Sequence, residues 1–133
     1  MDTKLGIPQK DMKVNIKNLT TVLASEMVLY VKTRKFHWNV AGNSFMEMHK
    51  LFEGQYNELE LIIDEVAERI GKLGEKAIGT MKEFNDKSIL KECTKYEEKD
   101  AMVEELLADY QKLISKIRDF IKETDETSDF GTS

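Results

Sequence analysis

The sequence predicts an all-α fold, and three observations carry that expectation. Charged residues make up 34% and hydrophobic residues 41%, with one proline in 133 positions, the composition of a water-facing helical protein. Apolar side chains recur at steps of three and four through three separate stretches, the spacing of one buried helix face. The tetrads Ser44-Phe45-Met46-Glu47, Thr80-Met81-Lys82-Glu83 and Thr94-Lys95-Tyr96-Glu97 each place a glutamate three residues after a hydroxyl. In such a capping box the two side chains satisfy free backbone N–H groups at a helix start.

Residues 1–10 read as a flexible arm, because Gly6 and Pro8 interrupt an early helix. A first helix is expected from about Asp11 to Val40, with Ile16, Leu19, Leu23, Met27, Tyr30 and then His37 and Trp38 on its stripe. Ala41-Gly42-Asn43 ends it. The second helix starts at the Ser44 tetrad and runs to about Leu73, with Gly74 as its stop. Its stripe is Phe45, His49, Phe52, Tyr56, Leu59, Ile63, Val66, Ile70 and Leu73. A short helix is expected near residues 80–86. A third long helix follows the Thr94 tetrad to about Thr124, with Met102, Leu106, Tyr110, Leu113, Ile117, Phe120 and Ile121 on its apolar face. Residues 128–133 read as a frayed tail, and the whole chain, 1–133, as a single domain. The tight turn makes the first two helices antiparallel. Three apolar stripes could close a three-helix core or leave a groove for a fourth helix.

Composition also bounds function. A net charge of −5 argues against a protein built mainly to coat nucleic acid, since that binding neutralises phosphates. Lys4, Lys10, Lys13 and Lys17 are a local exception, which an ordinary solvated tail also explains. No apolar run reaches the length of a bilayer span, the first residues lack a signal-peptide core, and the single cysteine, Cys93, cannot form an internal disulfide. A cytoplasmic location is therefore expected.

The chemistry concentrates between Phe36 and Glu68. Both histidines, His37 and His49, lie there, with Glu53, Asp64 and Glu68. His49 and Glu53 are four apart, as are Asp64 and Glu68, so each pair shares a helix face. Asp64 lies roughly 60° around from His49, on the same side, but about 22 Å along the axis. Metal–ligand bonds are about 2 Å long. One chain therefore cannot bring both pairs to one ion. It offers two halves: His37, His49 and Glu53 beside the turn, and Asp64 with Glu68 farther along. A two-fold dimer would join them and create two equivalent sites. Mixed imidazole and carboxylate ligation suits iron, manganese or zinc rather than calcium or copper(I). The bland alternatives are hydrogen-bonded core histidines, and carboxylates paired with Arg34, Lys35, Arg69 or Lys72.

The run Lys32-Thr33-Arg34-Lys35-Phe36-His37-Trp38-Asn39-Val40, His49 twelve residues after His37, Glu53, and then Asp64-Glu65-Val66-Ala67-Glu68-Arg69 resembles the Dps family, the DNA-protecting miniferritins of bacteria and archaea. The resemblance covers roughly residues 14–127, Leu107-Ala108-Asp109-Tyr110 included. It implies a ferritin-like four-helix bundle assembling as a hollow dodecamer. It implies an inter-subunit ferroxidase centre, with His37, His49 and Glu53 from one subunit and Asp64 and Glu68 from its mate. Family members carry Asp or Glu at the place of Glu53. Iron would be the metal, with zinc or manganese as substitutes. Fe(II) would be oxidised by hydrogen peroxide, or by dioxygen, and stored as ferric mineral. Trp38 would sit beside the centre, either as an electron donor or as an interface aromatic.

Glu123, Asp125, Glu126 and Asp129 could line a cation entry pore at a three-fold axis, or be a solvated helix end. One departure stands out: the family has a further long helix from about the place of Asp129, where this chain stops, so the last helix is expected to be absent. Two other function classes remain open, a DNA-compacting structural protein and a metal-free helical adaptor. A conventional ferritin, with Glu-x-x-His motifs within one bundle, is disfavoured, because Arg34 and Met46 stand three residues before the histidines.

Overall fold

Helix α1 (Gln9–Asn39) is the axis on which α2 (Phe45–Lys72), α3 (Met81–Lys87) and α4 (Lys99–Asp125) all pack. The computed structural model describes residues 6–127 and 132, and those residues contain these four helices and no strand. The expected all-α class is observed.

Helix α1 begins two residues earlier than expected. Pro8 is its N-cap, with its carbonyl accepting the Met12 N–H at 3.0 Å. A proline lacks only an N–H, and the N–H groups of a first turn have no helical acceptor anyway. Pro8 therefore starts the helix, and Gln9 and Lys10 belong to it rather than to an arm. Residues 1–5 of that expected arm, Lys4 included, lie outside the described residues, as does all of the expected tail except Thr132.

Of the three expected capping boxes, one forms. Thr80 Oγ1 accepts the Glu83 N–H at 3.2 Å and Glu83 Oε1 accepts the Thr80 N–H at 3.1 Å. Ser44 makes no cap bond: its φ of 63° is left-handed, and a capping hydroxyl reaches the helix from an extended backbone. The third box fails because α4 starts at Lys99, with Glu98 as N-cap and no side-chain bond. The Thr94 segment is instead strapped to α1 by Lys35. Its Nζ donates to the carbonyls of Cys93 at 2.7 Å and Lys95 at 2.5 Å, and lies over the Tyr96 ring. Gly74 does end α2. At φ 92° it donates to Gly71 O, while Glu75 N–H reaches Ile70 O at 3.3 Å, which satisfies two of the last free carbonyls.

Helices α1 and α2 are antiparallel. Leu23 and Ala24 meet Ile70 at one end, and Phe36 meets Phe52 at the other. Helix α4 also runs antiparallel to α1: Asn18 Nδ2 donates to Glu123 Oε2 at 2.7 Å, and Lys32 reaches Asp109 at 2.6 Å. Helices α2 and α4 thus lie parallel on two sides of α1. Leu29, Phe36, Phe52, Leu59, Met102, Leu106 and Leu113 form the core between them, and Phe84 of α3 joins the Leu23–Ile70 cluster.

On its remaining side the molecule keeps an apolar groove of about 200 Å³. Helix α1 floors it with Leu19, Val22 and Glu26, and Ile62, Val66, Ile117 and Phe120 form its walls. Glu26 is 4% exposed and its Oε1 has no hydrogen-bond partner among the described residues. Burial without a partner raises its pKa to about 7, because a dry carboxyl resists ionisation. The folded state therefore holds a proton that the unfolded chain has released above pH 4.5, so stability falls as pH rises from there to about 7. Glu26→Gln is expected to remove that slope and to be the more stable protein at pH 8, as urea titrations across pH will show.

Candidate metal centre

Beside the turn the structure brings His37, His49 and Glu53 together. His37 ends α1 and His49 opens α2, and the antiparallel hairpin stacks their rings at 3.6 Å between centroids. Their hydrogen bonds are reciprocal. His37 Nδ1 lies 2.8 Å from the carbonyl of His49, and His49 Nδ1 lies 2.9 Å from the carbonyl of His37. A carbonyl only accepts, so each Nδ1 carries the hydrogen, and in the neutral ring that leaves the lone pair on Nε2. That is the tautomer a metal-binding imidazole uses, and the carbonyl at its back is the usual orienting group.

Glu53 lies one turn beyond His49, and ligand atoms of all three residues lie within 4.8 Å of one another. His37 is buried, His49 half-buried and Glu53 exposed. The donor set of two imidazole nitrogens and a carboxylate fits a divalent transition cation. The set is also open on the Glu53 side.

Asp64 and Glu68 do not join this group. They lie farther along α2, exposed, and among the described residues neither has a hydrogen bond or ion pair. The lysine and arginine pairings that sequence left open for them are not made. Trp38 follows His37 in sequence but turns away from it. It is 65% exposed, its ring 5.9 Å from the Arg34 guanidinium carbon. Of the acidic residues considered for an entry pore, Glu123 binds Asn18, Asp125 and Glu126 are exposed, and Asp129 lies outside the described residues.

Two features escaped the sequence reading. The first is Lys32, whose side chain is 3% exposed between Asp109 and Glu105, at 2.6 and 3.0 Å. Burial lowers its pKa, but the bonds and charges of Asp109 and Glu105 outweigh that and hold it above the ordinary lysine range. Asp109 stands in the quoted Leu107–Tyr110 motif and Lys32 opens the quoted run to Val40; their place in those two stretches was the available signal. The second is a cluster of Cys93, Glu97 and Glu105, again within 4.8 Å. A hydrogen bond between the two carboxyl groups raises Glu97, and burial raises the Cys93 thiol. Lys32 already neutralises Glu105, which weakens this cluster as a cation site.

Residues 16–133 match the model of the ferritin-like domain. The chain is 36% identical to a low temperature-induced protein of Nostoc over 97% of its own length and 73% of that protein's. It is 35% identical to DNA protection during starvation protein 2 of Bacillus anthracis, over 89% of this chain and 81% of that one. The crystal structure of a Dps protein from Vibrio cholerae superposes with a TM-score of 0.94 at 33% identity, covering 100% of this chain and 84% of that one. That protein is described as a member of a broad superfamily of ferritin-like diiron-carboxylate proteins.

Proposed function

The chain belongs to the ferritin-like domain family and, within it, to the Dps miniferritins, and from that premise we propose that it oxidises Fe(II) at sites shared between two copies of itself. The observation that carries the reading is the His37–His49 pair, two imidazoles held by each other's carbonyls through Nδ1, with a ligand atom of each ring and one of Glu53 within 4.8 Å of one another. Asp64 and Glu68 of a second copy would complete each site, since the rise from His49 to Asp64, about 22 Å, exceeds any metal bond. A two-fold interface would pair the halves twice over.

In this reading His37, His49 and Glu53 bind and orient the iron substrate. Asp64 and Glu68 bring negative charge that favours the ferric product. Two Fe(II) ions give two electrons, enough to take one hydrogen peroxide to water without releasing hydroxyl radical; dioxygen is the other candidate oxidant. Exposed Trp38, next to His37 in sequence, would supply an electron when only one iron is present. DNA would be protected chemically, by removal of Fe(II) and peroxide. Closure of dimers into a dodecamer would give the ferric product a cavity, and zinc or manganese could compete for the site. A cytoplasmic location is part of the same proposal; among the described residues no helix is long and apolar enough to cross a membrane.

The test is an anaerobic Fe(II) titration followed by hydrogen peroxide, with ferric absorbance recorded. A saturable burst set by protein concentration is expected. Oxidation no faster than in buffer alone would overturn the reading.

A further inference from the structure

We propose that Arg34 is a positioning residue for the histidine half-site, pinning Tyr56 edge-on against His37 so that the imidazoles are ordered before a cation arrives. The proposal rests on the metal reading above. Arg34 lies one turn before His37. Its guanidinium carbon stands 4.1 Å from the centre of the Tyr56 ring, and its Nε donates to the Tyr30 hydroxyl at 3.0 Å. Tyr30 meets Tyr56 edge-to-face, 6.1 Å between centroids at 88°. Tyr56 is 8% exposed and its ring meets that of His37 at 5.3 Å and 76°. One arginine thus fixes two tyrosines, and one of these abuts the buried histidine.

The physical argument turns on sign. Among the described residues Arg34 makes no direct ion pair, both of those belonging to Lys32, and Glu60 acts on its charge only from a distance. A cation near a cation site opposes metal binding by Coulomb repulsion. Ordering acts the other way. A ring already held in place loses no rotamer freedom when it binds, and groups that hold a ligand histidine change metal affinity by about 10–100-fold. His37 has one Nδ1 hydrogen bond, to the carbonyl of His49, a ring stack with His49, and Tyr56 against its remaining side. Tyr56 in turn is held by Arg34. Repulsion alone predicts tighter metal binding when Arg34 is removed; ordering predicts weaker binding.

The experiment is titration of the full chain with Co(II), read by visible absorbance, alongside ¹⁵N spectra of the two imidazoles. Arg34→Met is expected to bind Co(II) about 10-fold more weakly, although it loses a repelling charge. Its His37 nitrogens are expected to lose the separate Nδ1–H and bare Nε2 signals of a single tautomer. Tyr56→Leu should repeat both changes, and Tyr56→Phe, which keeps the ring edge, should bind as the wild type does. Thermal melts of each variant report on folding, and the tautomer signal separates positioning from a loss of stability. Unchanged or tighter Co(II) binding by Arg34→Met would overturn the proposal while leaving the metal reading intact. Failure of the wild type to bind Co(II) would remove both.

Discussion

Mixing two inactive variants is expected to restore about a quarter of the wild-type Fe(II) oxidation. One variant carries His37→Ala and His49→Ala, and so lacks the imidazole half. The other carries Asp64→Ala and Glu68→Ala, and so lacks the carboxylate half. Each alone should oxidise Fe(II) no faster than buffer, because every site in its homodimer misses one half. In a mixed dimer one site combines both damaged halves and the other combines both intact ones. Random pairing makes about half the dimers mixed, and half of their sites are whole. The arithmetic holds only for a two-fold interface that crosses the halves. Unfolding and refolding the variants together ensures exchange, and the rate of ferric absorbance after peroxide reads the result. No recovery after exchange would mean that Asp64 and Glu68 do not complete the site. Activity in the Asp64/Glu68 variant alone would place the chemistry within one chain.

The largest effect on stability is expected at Lys32. Asp109→Ala with Glu105→Ala would leave its ammonium 3% exposed and unpaired. Stranding a buried charge in this way costs about 3–5 kcal/mol, which urea unfolding will register as a lower midpoint at unchanged slope. Adding Lys32→Met should recover most of the loss, because an apolar side chain of similar length fills the same space without a charge to desolvate. If the triple variant is as unstable as the double one, packing rather than charge sets the effect. The pH dependence has a definite sign. Burial raises the pKa of Glu105, but Lys32 and the hydrogen bonds of Glu97 and Cys93 together outweigh it, and the folded value lies below the ordinary one. That contribution is present above the unfolded carboxyl range and disappears as pH falls through the lower folded value. Lys32 is held above its ordinary 10.5, so its contribution is full below that pH and disappears as pH rises through the higher folded value. The network stabilises most across the neutral range between them.

The helical hairpin and the histidine half-site were legible because both depend on short-range spacing. His37 and His49 flank one turn, and any antiparallel hairpin with that turn brings them together. The separation of Asp64 from them needed only the helix rise. Helix α1 was harder to read. Its stripe was taken as one face, but α2, α3 and α4 surround it, and Asn15, Asn18, Glu26, Lys32 and Thr33 are buried as well. A helix covered on several sides has no single polar face for periodicity to reveal. Trp38 is expected on that stripe with His37, yet one residue beyond His37 is 100° around the helix, enough to turn its ring into solvent. Two capping boxes failed for a related reason. The letters Ser-x-x-Glu and Thr-x-x-Glu specify hydrogen-bonding groups but not the backbone angle at the first residue, and at Ser44 that angle came from the turn after Gly42.

The reciprocal bonds between His37 and His49 also bear on the order of folding. They close a contact only 12 residues long, whereas Lys32 must find Asp109 across 77. Loop closure grows costlier with length, and local contacts form sooner than distant ones. The imidazole half-site therefore takes shape as the first hairpin closes, ahead of the docking of α4. It needs only the first two helices, and a ribosome exposing residues 9–72 has already released every atom of it. In the proposed reading, the part of the site that waits is the part that another chain would bring.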